Sequence, residues 1–309
     1  MSKVISIVIP VLNEEEGISH FLDAVLQEFD SIKLKPEIVI VDDGSTDGTL
    51  FLLKKQAEVY SNIKIVSLTR NFGHQAAIAA GLEHATGDAV ITMDADFQDP
   101  PSVIPELIQQ WKKGYKVVFT KRKRRKDNIF KRATASIYYA LLYRYSDIKI
   151  KGNIGDYRLI DKAIHENLKG IKEKSKYLRG LISWMGYKYE VVEFDRPKRM
   201  FGSSKFSFLK MFRLAMEGIL NFSLVPLRLG FLLGILIIPI GLFFIGYILV
   251  DTLILGEIYP LYKWISVITF TFQGFMFILM WILAEYIGKI YEQDRSRPQF
   301  VIAEKINLE

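Results

Sequence analysis

Residues 89–101 read Ala89-Val90-Ile91-Thr92-Met93-Asp94-Ala95-Asp96-Phe97-Gln98-Asp99-Pro100-Pro101. An apolar run of strand length leads directly into two carboxylates one residue apart. The Pro100-Pro101 pair then forces the chain to turn. Hard oxygen ligands suit Mg²⁺ or Mn²⁺, and such an ion, held by one or two carboxylates, takes the rest of its shell from substrate phosphates and water. A D-x-D at the end of a buried strand therefore suggests a metal–diphosphate site. The bland alternative is a solvated acidic turn, and the neighbouring segments decide between the two.

Working outward, apolar β-type runs at Val4–Pro10, Glu37–Val41, Ile63–Leu68, Ala89–Met93 and Lys116–Phe119 alternate with helical patterns. Those patterns cover Glu15–Phe29, Thr46–Tyr60, His74–His84 and Ser102–Lys113. This order predicts a largely parallel sheet with helices on both faces, and ligands in such sheets bind beyond the carboxyl ends of the strands. The polar motifs fall at those ends: Leu12-Asn13-Glu14 after the first strand, Asp42-Asp43-Gly44-Ser45-Thr46-Asp47-Gly48-Thr49 after the second, Thr69-Arg70-Asn71-Phe72-Gly73-His74 after the third, and the D-x-D after the fourth. Asp42 and Asp43 can accept hydrogen bonds from a ribose or a base, and Arg70 can contact phosphate. Taken alone, Asp-Gly-Ser-Thr-Asp-Gly is an ordinary turn and helix cap through Thr46 or Asp47. Four polar loops on one rim favour a site. No G-x-G-x-x-G follows the first strand and no G-x-x-x-x-G-K-[ST] occurs, which argues against a dinucleotide oxidoreductase and a P-loop ATPase.

The chain has 309 residues, a net charge of +7 and no cysteine, so disulfides and thiolate metal sites are excluded. Its hydropathy is lopsided. Leu229–Val250 and Trp264–Ala284 contain no charged residue, and at about 1.5 Å per residue each covers roughly the 30 Å of a bilayer core. The intervening turn carries Asp251 and Glu257 against Lys263, whereas Arg213, Arg228, Lys289, Arg295 and Arg297 flank the outer ends. The positive-inside rule then places both termini and the large amino-terminal domain in the cytosol, and the protein in the cytoplasmic membrane. The basic run Lys121-Arg122-Lys123-Arg124-Arg125-Lys126, with Lys131 and Arg132, suits an anionic leaflet. Nucleic acid is not expected, because no aromatic stacking positions are interleaved with it.

These motifs together with Gly155-Asp156-Tyr157-Arg158-Leu159 and Arg199-Met200-Phe201-Gly202-Ser203-Ser204-Lys205-Phe206 resemble family-2 glycosyltransferases. The similarity is to the polyprenyl-phosphate branch, which includes bactoprenol glucosyltransferases and dolichol-phosphate mannose synthases. The resemblance implies a nucleotide-diphospho-sugar transferase (GT-A) α/β domain over 1–205, interfacial amphipathic helices over 206–227, and a two-helix transmembrane hairpin over 228–289 with spans near 229–250 and 264–284. A cytosolic tail at 290–309 completes the plan. It also implies an inverting transfer of one sugar, glucose from UDP-glucose, to undecaprenyl phosphate. GDP-mannose with dolichyl phosphate, or an inactive nucleotide-sugar-binding scaffold, are the alternatives. The Q-x-x-R-W signature of processive synthases is missing, which favours a single transfer.

By the same resemblance Pro10, Leu12, Glu14, Asp42, Asp43, Arg70 and Asp94 hold the nucleotide sugar, and Asp94, Asp96 and Gln98 hold Mg²⁺ or Mn²⁺. Arg122, Arg132, Ser136, Arg199, Ser204 and Lys205 receive the lipid phosphate. Arg132 and Ser136 would share one helical face. Asp96 and Asp156 are the catalytic candidates, Asp156 taking a residual proton or orienting the acceptor, or else standing as a structural acid paired with Arg158. Partners implied are a nucleotide sugar, a polyprenyl phosphate, the bilayer and further copies of the chain in a homo-oligomer.

Overall fold

The structure is a computed structural model that describes residues 3–123, 154–171, 178–195, 260–295 and 298–308, with isolated positions at 197, 243, 250, 253 and 254. Two compact units are present, one comprising Met1–Met211 with Arg297–Glu309 and the other Phe212–Ser296.

The first unit is built on a sheet whose elements follow the expected alternation. In chain order they are β1 (Ile5–Val11), α1 (Ile18–Ser31), β2 (Pro36–Asp42), α2 (Thr49–Val59), β3 (Ile63–Leu68), α3 (His74–His84), β4 (Ala89–Thr92), a 3₁₀ turn (Pro101–Val103), α4 (Ile104–Lys112) and β5 (Val117–Arg122). Then come β6 (Ile154–Asp161), α5 (Lys162–Gly170), α6 (Leu178–Trp184) and β7 (Tyr189–Phe194), and a final strand, β8 (Ile302–Ile306). The sheet order is β7-β5-β6-β4-β1-β2-β3-β8. β1 to β4 pair in parallel, and every residue of β1 and β2 is buried, as expected for strands covered on both faces. α3 lies directly on this layer, where any side chain at Gly81 would run into Val8 and Val41.

Two strands run against the rest, so the sheet is mixed rather than simply parallel. β6 is antiparallel to both β4 and β5, and β8 is antiparallel to β3. The segment 290–309, expected as a tail, thus contributes an edge strand. Hydropathy gives little sign of it, because the strand is largely exposed. It is held by Asn307 Nδ2, which donates to the carbonyls of Ala57 and Ile63 at 2.9 Å each, and by a 2.6 Å Lys54–Glu304 ion pair.

In the second unit the described helix is α7 (Leu261–Asp294), 34 residues long, which at about 1.5 Å per residue extends roughly 50 Å. It contains the whole of the second expected span. Among the described residues, however, no helix is long and apolar enough to cross a membrane. The first span, 229–250, falls almost entirely outside the described residues, as do the expected interfacial helices over 206–227.

Candidate active site

The carboxyl ends of β1, β2, β3 and β4 bring the four polar loops to one rim, and side chains lock them to one another. Asn13, in the left-handed region at φ 55°, accepts the Thr46 N–H on its Oδ1 at 2.8 Å, while its own N–H donates to Ser45 Oγ at 3.0 Å. Glu14 N–H donates to Thr49 Oγ1 at 2.9 Å, and Glu15 accepts the Gly48 N–H at 2.9 Å. At the start of α2, Asp47 Oδ1 accepts the Thr49 N–H at 3.0 Å, but the N-cap position is held by Gly48 rather than by Thr46 or Asp47. Pro10 is buried within β1, and Leu12 and Glu14 stand half-buried at its end.

Asp42 and Asp43 are almost fully buried. Asp42 accepts from Ser45 N–H and Ser67 Oγ, each at 3.1 Å. Asp43 accepts the backbone N–H groups of Phe72 at 2.8 Å and Gly73 at 3.0 Å. Burial raises its pKa, and these two donors offset part of that rise. Asp43 therefore fixes the loop bearing Arg70, whose guanidinium lies 4.2 Å over the Phe72 ring. Gly44 makes the close approach possible. At φ 72°, a Cβ there would lie 2.5 Å from the Arg70 carbonyl carbon and 2.8 Å from Asn71 N.

The D-x-D loop turns differently from the sequence expectation. Phe97, not the proline pair, reverses the chain: it adopts φ 58° and packs edge-on against Phe21 with ring centroids 5.2 Å apart. Pro100 stays extended and Pro101 opens the 3₁₀ turn. Asp96 Oδ1 accepts the Gln98 N–H at 3.0 Å, and Asp99 Oδ2 accepts the Asp94 N–H at 3.2 Å. The loop concentrates negative charge. Burial, followed by repulsion from Asp94 and Asp96, raises Asp99 to about 8, with Arg122 at the end of β5 acting in the opposite sense. Crowded carboxylates of this kind are a suitable donor set for a hard divalent ion, which would relieve their repulsion. Among the described residues no group of three or more metal-ligating side chains closes on one point.

Antiparallel pairing supplies what the linear order hides. Thr92 of β4 stands opposite Arg158 of β6, and just beyond the end of this pairing Asp94 and Asp156 both lie within 4 Å of His74 Nε2. Thr92 Oγ1 donates to the Asp156 carbonyl, and Tyr157 Oη donates to the Pro100 carbonyl at 3.0 Å, tying β6 to the acidic loop. Asp156 is the most heavily engaged acid of the rim. Arg179 donates to it twice, Nε to Oδ1 at 3.1 Å and Nη2 to Oδ2 at 2.7 Å. Arg158 Nη2 donates to Oδ1 at 3.3 Å and Gln75 Nε2 to Oδ2 at 3.2 Å. Burial works to raise its pKa, but Arg179, His74 and Arg158 overcome this and hold the carboxyl well below its ordinary value. His74 Nε2 spans the two acids, 3.5 Å from Asp94 Oδ1 and 3.8 Å from Asp156 Oδ2. Burial opposes its charge, yet Asp156 and Asp94 together raise its pKa to about 9.

The pairing of Asp156 with Arg158, weighed from sequence, is therefore present as part of a larger cluster. Sequence reading missed Arg179 and Gln75, and it gave no role to His74, which closes the third polar loop. His74 and Gln75 directly follow the Arg70–Gly73 motif, so their position at the rim was legible, whereas Arg179 lies outside every motif. Arg132, Ser136, Arg199, Ser204 and Lys205 lie outside the described residues.

A mixed sheet with a buried nucleotide-type rim, an acidic loop after β4 and a facing acid on β6 is the arrangement of a nucleotide-sugar transferase, and the chain belongs to glycosyl transferase family 2, whose profile matches residues 6–169. The likeness to two bactoprenol proteins runs much further. It is 39% identical to the prophage bactoprenol glucosyl transferase homolog of Escherichia coli K12 over 96% of this chain and 98% of that protein. It is 40% identical to the bactoprenol glucosyl transferase of Shigella phage SfX over 96% and 98%. Glucosyl-3-phosphoglycerate synthase from Mycobacterium tuberculosis, solved with Mn²⁺, UDP-glucose and phosphoglyceric acid, aligns with a TM-score of 0.49 at 18% identity over 71% of this chain and 78% of that one, too distant to bear on ligands.

Proposed function

We propose that this chain transfers one glucose from UDP-glucose to undecaprenyl phosphate, with inversion at the anomeric carbon. The observation that carries the acceptor class is the reach of the likeness. The family profile ends at residue 169, but the identity to bactoprenol glucosyl transferases covers 96% of the chain.

In this reading an acceptor phosphate oxygen forms a bond to the anomeric carbon as the bond to the diphosphate breaks, releasing UDP. A phosphate monoester has its second pKa near 6, so the acceptor is already largely anionic at cytosolic pH. It needs little proton transfer. Asp156, held ionised among Arg179, Arg158 and His74, is suited to positioning groups rather than to gaining a proton. Asp94, Asp96 and Gln98 would hold Mg²⁺ or Mn²⁺, which when bound supplies Lewis-acid stabilisation of the leaving diphosphate. Pro10, Leu12, Glu14, Asp42 and Arg70 line the nucleotide side, with Asp43 fixing the Arg70 loop. Arg122, and from the resemblance Arg132, Ser136, Arg199, Ser204 and Lys205, serve the lipid phosphate by offsetting its charge.

A lipid acceptor requires the active site to reach a bilayer. The uncharged stretches 229–250 and 264–284 support a transmembrane hairpin, with the catalytic unit and both termini on the cytosolic side and the Lys121–Arg132 run against anionic headgroups. The uncharged faces of such a hairpin also suit packing between copies in a homo-oligomer. Retention in the membrane pellet after alkaline carbonate washing is the expected result; release into the supernatant would rule out the hairpin.

The deciding experiment is transfer of radiolabelled sugar to undecaprenyl phosphate in detergent, with UDP-glucose, UDP-galactose, UDP-N-acetylglucosamine and GDP-mannose, each with Mg²⁺ and with EDTA. A metal-dependent glycolipid from UDP-glucose alone is expected. Product only from GDP-mannose would reassign the donor, and UDP binding without product from any donor would favour a non-catalytic protein.

A further inference from the structure

The buried cluster around Asp156 contains two guanidinium groups of different standing. Arg158 is 1% exposed and belongs to the sheet interior, whereas Arg179 is 30% exposed and stands at the rim. Both nitrogens that Arg179 offers Asp156 lie on one edge of its planar fork, and two parallel hydrogen bonds at 3.1 and 2.7 Å fix its orientation. Its charge also extends to the acidic loop, where it favours the ionised form of Asp94. A guanidinium that is prearranged, reachable and bonded to Asp156, the acid expected to orient the acceptor, has the chemistry of an anion clamp.

We propose that Arg179 is a phosphate-binding residue of the acceptor side and that Asp156 acts through it, as the positioning group that holds the fork in place. This assignment rests on the acceptor reading above and adds a residue to it. Holding an arginine by a buried carboxylate lowers the ordering cost when a phosphate arrives, because the side chain is already immobilised. It also gives Asp156 a use for the ionised form that the cluster enforces. The shared ligand chemistry is a phosphate, which either the lipid acceptor or the donor diphosphate could provide.

The test measures binding of two probes to the full chain in detergent by calorimetry: farnesyl phosphate for the acceptor side and UDP for the donor side. Arg179→Ala should weaken farnesyl phosphate by roughly tenfold or more, the size of a lost charge-assisted hydrogen bond, and leave UDP within about twofold. Arg179→Lys should recover part of the loss, since it restores the charge without the fork. Asp156→Asn should weaken the same probe, and combined with Arg179→Ala it should add nothing, as expected of two groups acting as a unit. Loss of UDP affinity with farnesyl phosphate unchanged would move Arg179 to the donor side and overturn the assignment. Unchanged binding of both probes by Arg179→Ala or Arg179→Lys, each shown to be folded by its unfolding transition, would also overturn it. Wild-type turnover with UDP-glucose is measured in parallel. Absent turnover with intact, Arg179-dependent farnesyl phosphate binding would refute the glucosyl-transfer reading and leave the clamp standing.

Discussion

Replacing Gly44 with alanine should disable the rim without removing a single functional group. Two costs separate cleanly. Gly44 has φ 72°, where an L-residue is strained by roughly 1–2 kcal/mol. The added Cβ also meets backbone: the Arg70 carbonyl carbon at 2.5 Å, Arg70 Cα at 2.8 Å and Asn71 N at 2.8 Å. Ordinary contact begins at 3.4 Å, so the Arg70–Asn71 segment must retreat by about 0.9 Å (3.4 − 2.5). Backbone cannot rotate away as a side chain can, and forced overpacking of this kind costs about 1–3 kcal/mol. The retreat pulls on the two N–H donors that Asp43 holds, from Phe72 and Gly73. The sum is a destabilisation of about 2–5 kcal/mol together with a displaced Arg70. Gly114 provides the control, with φ 99° and open space around its absent side chain. Gly114→Ala should show only the backbone strain. Denaturant unfolding and UDP calorimetry of both variants decide the matter. Equal destabilisation with equal UDP affinity would refute the argument that Gly44 sets the distance between the two loops.

The acidic loop predicts an unusual pH response in EDTA. Asp99 keeps its proton up to about 8 in the folded chain against 3.8 as the ordinary value, so the folded state binds more protons between these limits, and stability falls as pH rises through that window. The loss is on the order of 5 kcal/mol at most; Asp99→Asn should flatten the unfolding free energy between pH 5 and 8, and an unchanged slope would sink the assignment. Glu37 has the opposite sign. Burial opposes its charge, but Lys64, Ser6 and Thr86 lower its pKa below 4.5, so its contribution is present above that value and is lost as pH falls; Glu37→Gln should cost about 2–4 kcal/mol near neutrality and remove the acid limb. Asp96→Ala should abolish sugar transfer while leaving the unfolding midpoint unchanged, and retained turnover would exclude its metal role. Removing residues 298–309 should weaken UDP binding although it deletes no residue of the rim; wild-type affinity after truncation would show that β8 only covers an edge.

Most of the frame was legible because it depends on local chemistry. The strands β1 to β4 announce themselves as apolar runs of the right length, and each ends in a polar loop that cannot be buried without partners, so the rim could be placed from order alone. What the linear sequence hides is set by non-local pairing. β6 inserts antiparallel between β4 and β5, and its Thr92–Arg158 pairing carries Asp156 to the His74 side chain that also meets Asp94. Arg179 belongs to a short helix with no motif, and its importance comes wholly from the carboxylate it meets. The turn after the D-x-D was assigned to prolines because they constrain φ, yet Phe97 makes it. A bulky residue at φ 58° carries a local cost, here offset by packing on Phe21.

The rim is stiffened from behind in a way that links distant parts of the chain. Val301 accepts the Thr69 N–H at 3.0 Å, one residue before Arg70, and β8 continues along β3 from Leu68 to Ile65. The loop bearing Arg70 is thereby gripped on three sides: by Asp43 through Phe72 and Gly73, by the close approach of Gly44, and by the carboxy-terminal strand. Each grip acts on backbone, so none depends on the identity of the bound sugar. The groups on the β6 side are of another kind, side chains rather than backbone, with Gln75, His74 and Arg179 surrounding Asp156. Both parts of the rim follow from the same sheet, because its parallel strands set the loops that are locked through their backbone and its inserted antiparallel strand β6 brings the Asp156 charge cluster against them.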